Sequence, residues 1–170
     1  MKKFLAILIF TMGVAAATTP SSFAQNVATY ERVPKLKLHN WLNGHIPVGS
    51  DYTYLGFIHS ASVPCIESTS HVISTAKQVG MSVIIFTKES QASLGKWLYK
   101  VTDEPCVGVH HSSSNIFTNF GVKYAPFGII ISKKHRALWF GNPNRLTQKD
   151  IINIIDNNKK TNKKRCRSRK

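Results

Sequence analysis

The sequence predicts an α/β domain: a central mixed sheet of about four to five strands flanked by helices, with an N-terminal β extension. Three observations carry this. Short apolar runs alternate with stretches of helical period, which calls for parallel crossovers. Two late runs, 127–131 and 136–140, are separated only by Ser132-Lys133-Lys134-His135, a hairpin loop that adds an antiparallel pair. The first run, 52–58, ends in small polar residues, after which Pro64 and a cysteine open a helix-like stretch.

The 170 residues fit one domain between two processing or tail segments. Lys2 and Lys3 precede an apolar run, 4–17, too short for a comfortable membrane span, and Ser22-Phe23-Ala24 places small residues at both recognition positions of a signal peptidase. Residues 1–24 are therefore expected to be a signal peptide, 25–156 the folded domain, and 157–170 a basic, disordered tail. Export to a periplasmic or secreted location follows. The formal charge of +15 is uneven: two lysines leave with the signal segment and eight Lys or Arg sit in the tail, so the body carries only +5. The high pI reports the tail rather than a basic fold. Three cysteines, an odd number in an exported chain, leave at least one thiol outside any internal pair and exclude a disulfide-stapled miniature scaffold.

The elements follow in order. Residues 33–38 alternate as an edge strand would, and Asn43-Gly44 marks a turn, so an N-terminal hairpin or turn appendage is expected. Residues 52–58 form the first central strand by β-branched and aromatic content. Ser62 suits an N-cap whose hydroxyl accepts a first-turn amide, and Pro64 suits that turn because its missing N–H would be unpaired there. Ile66, Val72, Ile73 and Ala76 recur at helical spacing up to Gly80, a fitting terminator. Residues 81–86 read as a strand buried on both faces. Leu94, Trp97, Leu98 and Val101 fall at i, i+3, i+4, i+7, an amphipathic helix. A short strand at 106–109 ends in His110-His111. Ser114 caps a brief helix stopped by Gly121, the late hairpin follows, and Thr147 with Asp150 forms a capping-box variant before the isoleucines of a closing helix.

This order, with a proline-containing turn before the late hairpin, resembles the thioredoxin fold, and within it the TlpA-like group of exported thiol-disulfide proteins. The resemblance covers about 33–155. It rests on Val33-Pro34 with Leu36 and Leu38, on Trp41-Leu42-Asn43-Gly44, on Leu55-Gly56-Phe57 and Pro64-Cys65, on Phe120-Gly121-Val122-Lys123-Tyr124-Ala125-Pro126-Phe127, and on the hairpin at 134–141 with its trailing glycine. It implies that Pro126 is cis and faces the active-site turn, that Cys65, Ser62, Pro64 and Pro126 form the site, and that a client polypeptide or thiol protein is the partner. No cofactor is implied.

The departures bear directly on chemistry. Where the family carries its first, nucleophilic cysteine, this chain has Ser62. The aromatic residue usual before it is Ala61, and the buried acid of some thioredoxins six residues upstream is Gly56. Exchange begins with a thiolate attacking a disulfide, which a hydroxyl cannot do. Dithiol cycling within the motif is excluded, and single-thiol chemistry through Cys65 remains: a mixed disulfide, glutathionylation or a sulfenate. The alternative is a thioredoxin-fold binding or chaperone-like module that keeps the groove beside Pro126 without chemistry.

Ser62-Val63-Pro64-Cys65 also resembles the Thr/Ser-x-x-Cys of peroxiredoxins, although that motif's upstream proline and a recognisable arginine partner for the thiolate are absent. Cys106 is either a resolving partner for Cys65, if their Cα atoms lie within about 7 Å, or a second core cysteine. Cys166 sits among basic residues. His59 either activates Ser62 or is a polar residue at a strand end. His110-His111 lacks a metal spacing, and no metal is expected. For the tail the expected counter-charges are anionic envelope surfaces, not nucleic acid.

Overall fold

The computed structural model describes residues 31–167, with side chains through 163. The expected signal segment, the leader to residue 30 and the side chain of Cys166 lie outside the described residues. The elements are β1 (Tyr52–Ile58), α1 (Val63–Val79), β2 (Ser82–Thr87), α2 (Lys96–Val101), β3 (Val107–His110), α3 (Ser114–Asn119), β4 (Phe127–Ser132), β5 (Ala137–Gly141) and α4 (Gln148–Arg167). They build the expected mixed sheet, five-stranded in the order β3-β2-β1-β4-β5. β1 pairs parallel with β2 and antiparallel with β4, β2 pairs parallel with β3, and β4 and β5 form the antiparallel hairpin.

Alternation along the strands divides the core between two faces. On one, Tyr54, Ile58, Val83, Ile85 and Ile130 meet Val72, Ile73 and Ala76 of α1, Leu98 of α2, and Ile151 and Ile155 of α4. On the other, Phe57 lies against Phe86, Phe117, Phe120 and Phe127 with ring centroids 5.1–6.1 Å apart, several tilted or edge-on, the geometry aromatic quadrupoles favour. On the α1 face the ring of buried Tyr54 lies along its own strand. It occupies the space over Gly56 and over Gly128, which is register partner to Gly56 across β1 and β4. A Cβ at Gly56 would come within 2.8 Å of the Tyr54 ring, and one at Gly128 would overlap the phenol oxygen itself.

Helix ends follow local chemistry in part. Gly80, left-handed at φ 64°, closes α1 and donates its N–H to Ala76 O. Thr147 and Asp150 cap α4 reciprocally: the Thr147 N–H and hydroxyl donate to Asp150 Oδ2 at 3.0 and 2.6 Å, and the Asp150 N–H donates to Thr147 Oγ1 at 3.2 Å. Ser62 holds the N-cap position of α1, yet its hydroxyl makes no capping bond. The second helical residue is Pro64, which has no N–H, and the N–H groups of Cys65 and Ile66 both donate to the Ser62 carbonyl at 3.0 Å. For α3 the cap position is Ser113 rather than Ser114.

Two further expectations are corrected. The segment expected as an N-terminal strand or hairpin is a strap. Single bridges join Arg32 to Arg136 beside β5 and Trp41 to His110 beside β3, at opposite edges of the sheet, so the chain crosses the Phe57 face between them instead of running along a strand. Val33, Leu36 and Leu38 pack on that face. The expected turn is present, with Asn43 and Gly44 both at positive φ. Gly108 lets the strap lie close, since a Cβ there would overlap Pro47 and approach Trp41 to 2.7 Å. His110 anchors its end: Nε2 accepts the Asn40 N–H at 3.3 Å and Nδ1 lies 2.7 Å from Ser113 Oγ. Burial, with His111 and His39 adding, lowers His110 to about 4, so the ring is neutral at pH 7.

The segment from 157, expected as a disordered tail, continues α4 as helix to Arg167. Local bonds carry it past the last isoleucine: the Thr161 hydroxyl donates to Asn157 O at 2.9 Å, Asn162 Nδ2 donates to Asn158 Oδ1 at 3.0 Å, and the Tyr52 hydroxyl reaches the same oxygen at 3.4 Å.

The glycine pair under Tyr54 supplies a test. Gly128→Ala forces the ring or the β1–β4 pairing to shift and is expected to lower stability by about 1–3 kcal/mol, read from urea unfolding. An unchanged midpoint would show that the sheet yields there without cost.

Candidate functional site

Ser62, Pro64, Cys65 and Pro126 gather at one pole, the C-terminal end of β1. β1 ends at Ile58, the turn 59–62 leads into α1, and Cys65 lies in its first helical turn. Register pairs Phe57 with Phe127, which places Pro126, after a cis Ala125–Pro126 bond, at the same end of the neighbouring strand. The pole has an apolar rim: Ala61, Val63, Pro64 and Ala125 are exposed, and Tyr124 is half-buried against Phe127. Ser62 is half-buried at the surface, whereas Cys65 has no exposed area and belongs to the core beneath α1 together with Tyr54. Burial, and then the neighbouring Cys65, push the Tyr54 phenol upward, so it remains protonated.

Sequence reading missed what holds this turn. Ser60, buried at 2% exposure, gives its N–H to Glu89 Oε2 and its hydroxyl to Glu89 Oε1, both at 2.7 Å. The Ser60 hydroxyl accepts the Gly95 N–H at 2.9 Å, and its carbonyl accepts Trp97 Nε1–H at 2.7 Å. The Thr87 hydroxyl donates to Glu89 Oε2 at 2.6 Å. The turn after β1 is thereby bound to the loop after β2 and to α2. Burial alone would raise the Glu89 pKa; the bonds from Thr87 and Ser60, with His59 nearby, outweigh it and hold the carboxyl below its ordinary range. The only local hint was an acid just past the end of a strand in Thr87-Lys88-Glu89.

His59 is exposed. Its Nδ1 accepts the Ala61 N–H at 3.3 Å and lies 3.7 Å from Glu89 Oε1, while the Ser62 N–H donates to the His59 carbonyl. Accepting the Ala61 N–H requires the Nδ1 lone pair, so in that state the nitrogen serves the backbone of the turn and not the carboxylate.

Cys106 is at the opposite pole. Its carbonyl accepts from Val83 at the start of β2, level with Tyr54 in the register of β1, and its thiol is influenced by Lys77, in the last turn of α1. Lys77 stands twelve positions along α1 from Cys65, about 18 Å of helix, far beyond the roughly 7 Å limit for a disulfide. Both thiols are free, and burial pushes Cys106 upward. The two cysteines do not form a resolving pair in this fold. Among the described residues, no three His, Cys, Asp or Glu side chains converge as metal ligands, and no helix is long and apolar enough to cross a membrane.

Neither a protein-family model nor a curated protein sequence matches the chain. Solved structures do match. A thio-disulfide isomerase from Thermus thermophilus superposes with a TM-score of 0.58 at 15% identity over 75% of this chain and 94% of its own. The chain has the thioredoxin fold. StoA from Bacillus subtilis is similar with a TM-score of 0.52 at 13% identity, covering 74% of this chain and 99% of that one. A thioredoxin-like protein from Aeropyrum pernix has a TM-score of 0.50 at 16% identity, covering 65% and 79%. In this thioredoxin fold the pole that holds Ser62 and Cys65 is the C-terminal edge of the parallel strands, where open α/β sheets place their sites.

The Glu89 network is testable by pH. Because the folded carboxyl lies below its unfolded value, its contribution is present above about pH 4.5 and is lost as pH falls through the folded value. Glu89→Gln is expected to cost about 1–3 kcal/mol at pH 7 and to flatten the loss of stability as the solution is acidified below the ordinary carboxylate range, measured by urea unfolding across pH. An unaltered pH profile would remove Glu89 from that role.

Proposed function

We propose that this chain is an exported thioredoxin-fold module, of TlpA-like descent, that grips extended client polypeptides beside Pro126 and does not cycle a dithiol. The observation that carries this is the order of groups at the pole: a serine hydroxyl at the surface, where the family keeps its attacking thiol, and a cysteine with no exposed area behind it. A client disulfide reaching this pole meets Ser62, which cannot attack sulfur, while the Cys65 thiol lies out of reach. What the pole does offer is a polypeptide seat. Ala61, Val63, Pro64 and Ala125 supply apolar contact, and an extended segment can pair with the backbone at Ala125, as in strand addition. The same burial argues against peroxidase chemistry, which needs an accessible thiolate.

In this reading Cys65 is a retained core residue, and its substitution is separable from client capture. Cys65→Ala is expected to keep client binding and to change stability by about 1 kcal/mol. The parent is expected to leave Cys65 unlabelled by iodoacetamide until unfolded and to show no insulin reduction. Rapid labelling of Cys65 in the native protein, with loss of client capture in Cys65→Ala, would overturn the binding reading and restore single-thiol chemistry.

A gain of function provides the complementary test. Ser62→Cys creates the missing pair across one helical turn, and the variant is expected to form a 62–65 disulfide and to acquire insulin reductase activity, followed by turbidity and free-thiol count. Failure to close that disulfide would mean that the turn has lost the geometry of a redox motif, not merely its thiol.

A further inference from the structure

The continuation of α4 to Arg167 arranges charge that the sequence alone left as a run. At about 100° per residue, Lys149, Asp156, Lys159, Lys160 and Lys163 fall within one arc of about 100° on the helix surface. The buried Ile151 and Ile155 lie to one side of this arc, Ile155 about 40° beyond Lys159, while the exposed Ile152 falls within it. The lysines of the arc are exposed, Lys159 at 62% of its side chain. Its one acid, Asp156, stands 3.8 Å from Lys159 and offsets a single charge. The arc runs about 21 Å from 149 to 163, with its cations clustered at 159–163 and Lys149 at the far end.

Beyond Asn158 the charge pattern works against the helix that the local bonds and lysine propensity favour. The pairs 159/163, 160/164 and 163/167 set like charges at i, i+4, each of which opposes the helix, and asparagine is a weak helix former. A dense anionic counter-surface removes that repulsion. The segment has no apolar residue after Ile155 apart from Cys166, so it is not built to insert into a bilayer.

We propose that the outer face of α4 is a docking surface for an anionic phospholipid headgroup layer, holding the thioredoxin-fold domain against a membrane by charge alone. A single-sided cluster of lysines matches a plane of headgroups. The composition matches too: five of the seven cations between 148 and 167 are lysines, hydrated point charges suited to a diffuse anionic layer rather than to bidentate phosphate or base contacts. No aromatic residue in α4 is present to stack on the bases of a single strand.

Co-sedimentation of the full chain with phosphatidylcholine vesicles, with and without phosphatidylglycerol, tests this. Binding is expected only with phosphatidylglycerol, and to be lost at high salt. Lys159→Gln/Lys160→Gln/Lys163→Gln, which leaves the buried face of α4 intact, is expected to lower the partition coefficient at least tenfold at low salt, from about fivefold per basic residue. Circular dichroism melting of this variant confirms an intact fold. Equal binding to neutral vesicles, binding indifferent to the three substitutions, or no binding would each overturn the proposal. Tighter binding to duplex DNA than to phosphatidylglycerol vesicles at equal salt would overturn it in favour of a polynucleotide.

Discussion

The structure depends on β1 being buried on both faces at once. It is the central strand of the sheet, paired on either side, and it cannot present a polar face to solvent. On one side Phe57 organises four other phenylalanines; on the other, Tyr54 lies flat over Gly56 and Gly128. These solutions differ physically. The first fills space with rings, and the second removes Cβ atoms from two paired strands so that one large ring fits beneath α1. Cys65 belongs to that second layer, buried in the same cluster as Tyr54.

The same constraint fixes where the turn after β1 emerges. Ile58 ends the buried strand, His59 is exposed, and the next buried residue is Ser60, unable to rely on water. Its N–H, hydroxyl and carbonyl are all committed to Glu89, Gly95 and Trp97. Buried polar groups left without partners cost more than formed bonds gain, so this network constrains the turn as firmly as the apolar core does. It ties the path of 59–62 to the loop after β2 rather than to α1, which is consistent with a helix whose start uses the Ser62 carbonyl instead of its hydroxyl.

What was legible in the sequence is what short-range chemistry decides. The limits of β1 follow from its composition, the end of α1 from Gly80, and the start of α4 from Thr147 and Asp150, because each depends on residues within a turn of one another. The late hairpin was legible for the same reason. The strap was not: Leu36 and Leu38 alternate as a strand would, but the surface receiving them is assembled from α3, β1 and β4, far away in sequence. Ser60 and Glu89 were invisible because their pairing exists only once β1 and β2 lie parallel and side by side. The α4 extension was misjudged from composition, which registers charge and polarity but not the side-chain bonds of Asn158 and Thr161 that carry the helix onward.

Cys106 sharpens the reading of Cys65. A sequence with a lone thiol in a redox-like turn invites a search for its partner, and Cys106 was the nearest in the body of the chain. The parallel sheet separates them, because β1 and α1 run in opposite directions and Cys106 sits beside the end of the helix that Cys65 begins. Bridging them would require unravelling α1 or withdrawing β3 from β2, and either breaks the shared core that holds Val72, Ala76, Val107 and Val109. With Cys106 excluded on that ground and Ser62 unable to carry exchange, a redox cycle would need some other thiol to reach a sulfur that has no exposed surface. The pole described by Ser62, Pro64 and Pro126 is therefore better understood through the surface it presents than through the sulfur it covers.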